Sequence, residues 1–148
     1  MSTSITGYAA AHFHGVDTLW REVFPDDPPW NRAELAIPAK LAVQPELFLV
    51  ALDGECVVGS VMGGYDGHRG WIYALAVKPS HRRRGIASAL MHAIERRLAA
   101  AGCGKLNLQV RASNSAVIAF YEALGFAVEA RVSMGKRLPG VAPRDGRA

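Results

Sequence analysis

The spacing of apolar residues along the chain alternates between short continuous runs and helical periods, which predicts strands interleaved with helices. The runs LFLVAL (47–52) and CVVGSVM (56–62) flank the tight turn DGE and predict an antiparallel hairpin. A third run, WIYALAV (71–77), is apolar on both faces and predicts a strand buried in the sheet interior. The intervening segment GGYDGHRG (63–70) is rich in glycine and is expected to form a loop.

The second half of the chain has a clearer helical period. Apolar residues recur at every third or fourth position from Ile86 to Ala101, and Gly102 supplies a stop signal. The next segment, KLNLQVR (105–111), alternates like a strand with one wetter face. It is followed by a helix, NSAVIAFYEAL (114–124), and by a final strand, FAVEARVSM (126–134). Because a helix joins strands 71–77 and 105–111, these two strands are expected to be parallel.

The N-terminal third is less regular. A weak strand is predicted at residues 5–9 and a helix at residues 15–23. The proline-rich segment PDDPPW (25–30) predicts a loop. A second helix is predicted over residues 31–43, and Pro38 is expected to kink or interrupt it.

Composition limits the class of protein. The 148 residues suit a single domain over 1–148, with residues 139–148 expected to be a frayed tail. Half of the residues are hydrophobic and 20% are charged, which predicts a globular fold. No apolar run is long enough to span a membrane and the N-terminus lacks signal-peptide features, so the cytoplasm is the expected location. Two cysteines without metal-ligand spacing are expected to be free thiols, and no metal is expected.

The formal net charge of +4 favours an anionic partner without identifying it. Much of the positive charge lies in residues 82–97 and in the C-terminal residues 136–147. The basic residues are not interleaved with aromatic residues and no reading helix is evident, so nucleic acid is not the expected partner.

A candidate anion site lies where the helix at Ile86 begins. The four residues before this helix are arginines 82–84 and Gly85, and none offers a side-chain acceptor to the exposed N–H groups of the helix start. Gly85 allows close approach and Ala87 is small, as a phosphate or pyrophosphate cradle requires. The residues alone leave open a second interpretation, a basic helix start that is capped by water. Neither GxxxxGK[ST] nor GxGxxG occurs, which argues against nucleotide triphosphate and dinucleotide sites.

Two segments carry a resemblance to a known family. The run VKPSHRRRGIA (77–87) resembles the acyl-CoA pyrophosphate loop of the GNAT superfamily of N-acetyltransferases, which has the pattern Arg/Gln-x-x-Gly-x-Gly/Ala after a strand. The run NSAVIAFYEALGF (114–126) resembles a second block of that superfamily, an Asn followed by a Tyr and then Gly-Phe. The resemblance covers residues 47–137 well. The segments PWN, VMGGYDGHRG and GKRL further resemble a bacterial subfamily represented by YpeA.

The resemblance implies a fold and an activity. The implied fold is a single-domain α/β (α+β) GNAT fold with about four flanking helices. Its sheet is mixed and mostly antiparallel, with about six strands and a splayed central parallel pair. The implied activity is direct transfer of the acetyl group of acetyl-CoA to a primary amine of a small molecule, protein or peptide. A non-catalytic acyl-CoA-binding or sensing domain is the alternative. The sequence leaves the oligomeric state open, and a homodimer is one candidate because enzymes of this kind often pair through a sheet edge or the C-terminal strand.

The resemblance also implies site residues. The implied contacts to acetyl-CoA are Leu75, Ala76, Val77, Arg82, Arg83, Arg84, Gly85, Ile86, Ala87, Ser88 and Asn114. Tyr121 is implied as the general acid for the departing sulfur, with a plain core aromatic as the alternative role. Asn114 would equally serve as a helix cap. Two departures from the family pattern are Arg83, where a small residue is frequent, and the absence of a glutamate from strand 71–77.

The proton acceptor and the amine site are less defined. His68 is a candidate base because histidine titrates near neutrality, although bulk water can also take the proton. Trp30, Tyr65 and Asp66 are candidates for contact with the amine. A turn-forming role explains Asp66 equally well. A cysteine-based two-step mechanism is disfavoured, because Cys56 lies in an apolar strand and Cys103 follows a helix C-terminus.

Overall fold

The computed structural model describes residues 2–140. The chain divides into two compact units, residues 1–108 and residues 109–148. The elements of the first unit are β1 (Thr3–Gly7), α1 (Phe13–Val23), α2 (Ala33–Leu41), β2 (Phe48–Asp53), β3 (Cys56–Tyr65), β4 (Gly70–Val77), α3 (Ile86–Ala100) and β5 (Leu106–Asn107). The second unit contains α4 (Ser115–Ala123).

The five strands form one sheet in the order β1-β2-β3-β4-β5. Neighbours from β1 to β4 are antiparallel, and β4 and β5 are parallel. The predicted mixed, mostly antiparallel sheet with a parallel pair and four helices is therefore confirmed. The sheet has five strands in the described part of the chain, and the parallel pair lies at its edge instead of its centre.

Helices cover both faces of the sheet. Successive residues of β3 point to opposite faces. A side chain at Gly59 would meet Leu90 of α3, whereas the next residue, Ser60, contacts Trp20 of α1. The α1 side has a core of Val16, Leu19, Trp20, Ala33, Ile37, Phe48, Val50, Val57 and Ala76. The α3 side is filled by the predicted helical stripe, whose buried members are Ile86, Leu90, Met91, Ile94 and Leu98.

The predicted loop GGYDGHRG is wrong for half of its residues, which lie in strands. β3 continues to Tyr65 and β4 already begins at Gly70, so the turn is limited to residues 66–69. The glycines serve close packing here. A Cβ at Gly63 would lie 3.0 Å from Ile94 Cγ1, and one at Gly70 would lie 2.5 Å from Cys103 Sγ.

Three further elements differ from their predictions. Pro38 lies inside α2 without interrupting it, because it removes only one hydrogen bond from a short helix that is fixed by the buried Ala33 and Ile37. β5 is much shorter than the predicted 105–111, since its ladder ends at Trp71 and Asn107 and a bulge follows in β4. Strand β4 is also not buried on both faces, because Tyr73 is 55% exposed.

The predicted final strand at residues 126–134 is not present among the strands that the structure describes. Within this segment the N–H of Arg131 donates to the carbonyl of Glu129 at 2.8 Å. A hydrogen bond over two residues makes a tight local turn, which is incompatible with a continuous ladder. Most of the predicted tail, residues 141–148, lies outside the described residues.

Candidate acetyl-CoA site

The start of α3 has the form of an anion site. Its N-cap is Gly85, at φ 75°, and no side chain caps the helix. The carbonyl of Gly85 accepts the first helical hydrogen bond, from the N–H of Ala89 at 3.0 Å. The N–H groups of the first helical turn have no acceptor within the helix, and they point along its positive dipole end. This end of the helix therefore favours a negatively charged group.

The loop before α3 adds to this arrangement. Arg83 adopts φ 63° and Gly85 adopts φ 75°, and both angles lie in the left-handed region. Left-handed residues in a turn direct successive N–H groups into one concavity, which suits phosphate oxygens. Because Arg83 has a Cβ, its left-handed backbone is strained by about 1–2 kcal/mol. Its side chain is exposed, as are those of Arg82 and Arg84.

A cavity of about 280 Å³ lies beside this helix start. Its lining residues are Thr3, Ile5, Arg84, Gly85, Ile86 and Ala89. Apart from its own neighbours in the chain, a Cβ added to Gly85 would meet no atom of residues 2–140 within 4 Å, so the space in front of this backbone is open. Phosphate oxygens would fit such a concavity, because it combines backbone donors, positive side chains and no obstructing atom.

The same loop is fastened to the hairpin of β2 and β3. His81 Nε2 lies 2.9 Å from Asp53 Oδ2, and Ser80 Oγ lies 2.8 Å from His81 Nδ1. The N–H of Lys78 donates to the carbonyl of Val58 at 2.8 Å. These contacts fix the approach to the helix start. The contact between His81 and Asp53 was not predicted from the sequence, because no local pattern pairs residues so far apart in the chain.

The predicted contacts Leu75, Ala76 and Val77 follow a bulge in β4. In the register with β3, Ser60 faces Ala76 and Met62 faces Tyr73, so β4 holds one extra residue. Ala74, within this bulge, adopts φ 52°. Leu75–Val77 and the loop of residues 82–88 thus lie at the same end of β4.

The turn between β3 and β4 lies at the other end of the strand. Eight residues at about 3.3 Å each separate the two ends of β4 by roughly 25 Å. Asp66 Oδ1 accepts hydrogen bonds from the N–H groups of His68 and Arg69, both at 2.8 Å. These bonds lower the pKa of Asp66. Asp66 therefore holds the turn, and His68 is exposed far from the helix start.

Tyr65 and Trp30 occupy different places. The Tyr65 hydroxyl lies 3.2 Å from the carbonyls of Gly67 and Gly102, so it braces the turn. Trp30 is 39% exposed in the short turn Pro29–Asn31. Residues that follow Trp30 in the chain help to line a cavity of about 230 Å³. This cavity is lined by Trp20, Arg21, Phe24, Pro25, Asp27, Asn31 and Arg32.

The second unit holds the two remaining predicted residues. Asn114 Oδ1 accepts a hydrogen bond from the N–H of Val117 at 3.3 Å, which confirms Asn114 as the cap of α4. Tyr121 packs edge to face against Phe120 and Phe126, with ring centroids 5.1 and 5.5 Å away. Burial raises the pKa of Tyr121 to about 12. Its phenol therefore stays protonated over the whole range in which enzymes are usually assayed.

Comparison with known proteins agrees with this geometry. A family model described as "Acetyltransferase (GNAT) family" matches residues 11–126. An acetyltransferase of Yersinia pseudotuberculosis is 53% identical over 110 residues, which are 74% of this chain and 78% of that protein. The chain belongs to the GNAT acetyltransferase family. An acetyltransferase of Pectobacterium atrosepticum is 51% identical over 129 residues, which are 85% of this chain and 89% of that protein.

Solved structures support the same fold. The aminoglycoside N-acetyltransferase AAC(6')-Iy, solved in complex with CoA, superimposes with a TM-score of 0.76. The match covers 92% of this chain and 95% of that one, at 21% identity, and thus shows the fold alone. Family membership confirms the predicted class of enzyme, an acetyl-CoA-dependent N-acetyltransferase, and acetyl-CoA as its acyl donor. Over the residues that the structure describes, no helix has both the length and the apolar character needed to cross a membrane.

Proposed function

We propose that this GNAT family member transfers the acetyl group of acetyl-CoA directly to a primary amine of a small molecule, protein or peptide. The observation that carries the proposal is the uncapped start of α3 at the bulged end of β4, with left-handed backbone at Arg83 and Gly85. A charge-assisted N–H bond contributes about 1.5–3 kcal/mol, so a few such bonds to a pyrophosphate support micromolar binding.

In this proposal the protein mainly binds and orients. Bound acetyl-CoA supplies the acetyl thioester, whose C–S bond breaks as the amine nitrogen bonds to the acetyl carbon. Arg82, Arg83, Arg84 and the N–H groups from Gly85 to Ser88 hold the diphosphate. The backbone at Leu75, Ala76 and Val77 accepts the acyl-carrying arm, and an N–H group there donates to the carbonyl oxygen as charge develops on it. Asn114 contacts the same arm, since capping α4 uses only its side-chain oxygen.

Proton transfers complete the reaction. Tyr121 donates a hydrogen bond from its hydroxyl to the departing sulfur; because its raised pKa makes the phenol a weak acid, it stabilises the thiolate as a neutral donor and keeps its own proton. The second proton that the nitrogen loses, on forming the amide, passes through water to the departing thiolate. Before the attack, the substrate ammonium loses its first proton to water. His68 is the weaker candidate for this role, since it lies in the turn at the far end of β4. The cavity lined by Trp20, Asp27 and Asn31 is the proposed acceptor side, and Trp30 precedes its lining residue Asn31 in the chain.

The extent of the functional domain is part of the proposal. The family match over residues 11–126 runs through both compact units, which supports one N-acetyltransferase domain over 1–148. Cytoplasmic location and homodimerisation through a sheet edge or the C-terminal segment stay predictions. Sedimentation equilibrium of the purified chain would test the dimer.

Calorimetric titration with acetyl-CoA, CoA, ATP and a short DNA duplex tests the binding step. We expect micromolar or tighter binding of acetyl-CoA and CoA, and none of DNA. A panel of polyamines, aminosugars and peptides, assayed for release of the CoA thiol, then tests transfer. Binding without thiol release from any amine would favour the non-catalytic alternative, and failure to bind acetyl-CoA would refute the proposed site.

A further inference from the structure

The bulge in β4 is an unusual conformation that the fold must hold in place. Ala74 adopts φ 52°, which costs a residue other than glycine strain energy. The bulge also removes the carbonyl of Ala74 from the regular ladder with β3. Strained backbone of this kind persists only where surrounding contacts fix it. The contacts that fix Ala74 are therefore of interest for the site that follows it in β4.

Ser60 supplies the contact. It is the one polar residue classed as buried within residues 2–140, with 0% exposure. Its hydroxyl donates to the carbonyl of Ala74 at 2.8 Å and accepts a hydrogen bond from Trp20 Nε1 at 2.9 Å. A buried hydroxyl without partners is unfavourable, and here both its donor and its acceptor function are used.

Trp20 connects this network to α1. Its indole is 5% exposed and stacks at 6.1 Å on Phe48 of β2, so the ring is held in one orientation. The same side chain lines the cavity that we propose for the acceptor. A chain of two hydrogen bonds thus joins the wall of that cavity to the bulge of β4.

We propose that Ser60 and Trp20 are positioning residues, which hold the β4 bulge in the conformation that receives the acyl-carrying arm of acetyl-CoA. The inference rests on the proposed function, because the role of the backbone at Leu75–Val77 is taken from it. Neither side chain needs to contact the ligand. An apolar residue at position 60 would fill the core equally well but would leave the Ala74 carbonyl and the Trp20 N–H without partners.

Binding of two ligands can distinguish a loss of positioning in the β4 bulge from a general loss of protein stability. Acetyl-CoA engages both the α3 cradle and the bulge, whereas adenosine 3′-phosphate 5′-diphosphate lacks the arm and engages the cradle alone. In Ser60→Ala we expect the dissociation constant of acetyl-CoA to rise about tenfold, the usual effect of losing one well-placed hydrogen bond. The dissociation constant of the diphosphate should change less than twofold. Both are measured by calorimetry at a temperature where each variant is fully folded.

Two further variants make the test specific. Trp20→Phe removes the N–H donor and keeps an aromatic ring, so it should weaken acetyl-CoA binding by less than Ser60→Ala does. The double variant should bind acetyl-CoA as tightly as Ser60→Ala does, because both substitutions break the same chain of hydrogen bonds. Val61→Ala is the matched control: it makes a cavity in the same strand on the α3 face. It should lower stability and leave both dissociation constants unchanged.

The outcomes are distinct. Equal weakening of both ligands in Ser60→Ala, or unchanged binding of both, would overturn the positioning role while the proposed site stands. If the native protein binds the diphosphate and not acetyl-CoA, the positioning role and the arm-binding role of β4 both fail. If the native protein binds neither ligand, the proposed function itself is wrong.

Discussion

A negative charge at position 85 should weaken acetyl-CoA binding roughly a hundredfold at little cost to stability. In Gly85→Asp the new residue must adopt the left-handed backbone, which lowers the free energy of unfolding by about 1–2 kcal/mol. A carboxylate at a helix start stabilises the folded protein by about 0.3–1 kcal/mol through the helix dipole. The new Cβ causes no clash, because no atom of residues 2–140 other than its chain neighbours lies within 4 Å. The net loss is about 1 kcal/mol, which lowers the melting temperature by roughly 2–4 °C in a chain of this size.

The expected effect of Gly85→Asp on binding is much larger. Two unit charges about 4 Å apart repel by about 4 kcal/mol at an effective dielectric constant of 20. Salt and the three exposed arginines reduce this to about 2–3 kcal/mol, so affinity should fall roughly a hundredfold. Gly85→Asn is the matched control, because Asn has the same shape and tolerates the left-handed region without the charge.

Calorimetry with acetyl-CoA and thermal unfolding of both variants would measure these effects. We expect Gly85→Asn to bind within about tenfold of the native protein. Equal weakening of binding by Asn and Asp would show that charge at position 85 does not matter. Native affinity in Gly85→Asp would show that no anion lies at this helix start.

Other substitutions test the remaining steps. Tyr121→Phe should slow thiol release about 10- to 100-fold by the same factor from pH 6 to 9, because a phenol with a pKa of about 12 is protonated throughout; a loss that varies with pH would contradict this role. His68→Ala should keep the native pH–rate profile if water takes the ammonium proton, and a displaced acidic limb would instead assign the base to His68. Gly15→Ala should destabilise the protein by about 1–2 kcal/mol in urea unfolding. Its Cβ would lie 2.7 Å from Val57 Cγ2, and overpacking outweighs the gain of about 1 kcal/mol in helix propensity. An unchanged midpoint would show that Val57 can move aside.

The features that sequence alone determined are local. The stripe of α3, its end at Gly102 and the cap at Asn114 depend on residues within a few positions of one another, where periodicity and capping are directly readable. The uncapped helix start at Gly85 is local in the same way. These features, with the two motif blocks, were sufficient to predict the fold class, the family and the acyl donor.

Tertiary structure decided what depends on contacts between distant segments. The bonds from Ser60 to Trp20 and Ala74, and from His81 to Asp53, join residues that no sequence period relates. The same holds for Gly63 and Gly70, whose sequence resembles a loop although each is required by a side chain from another element. Periodicity reports which face of an element is apolar. Which atoms meet across that face is fixed only when the elements pack together.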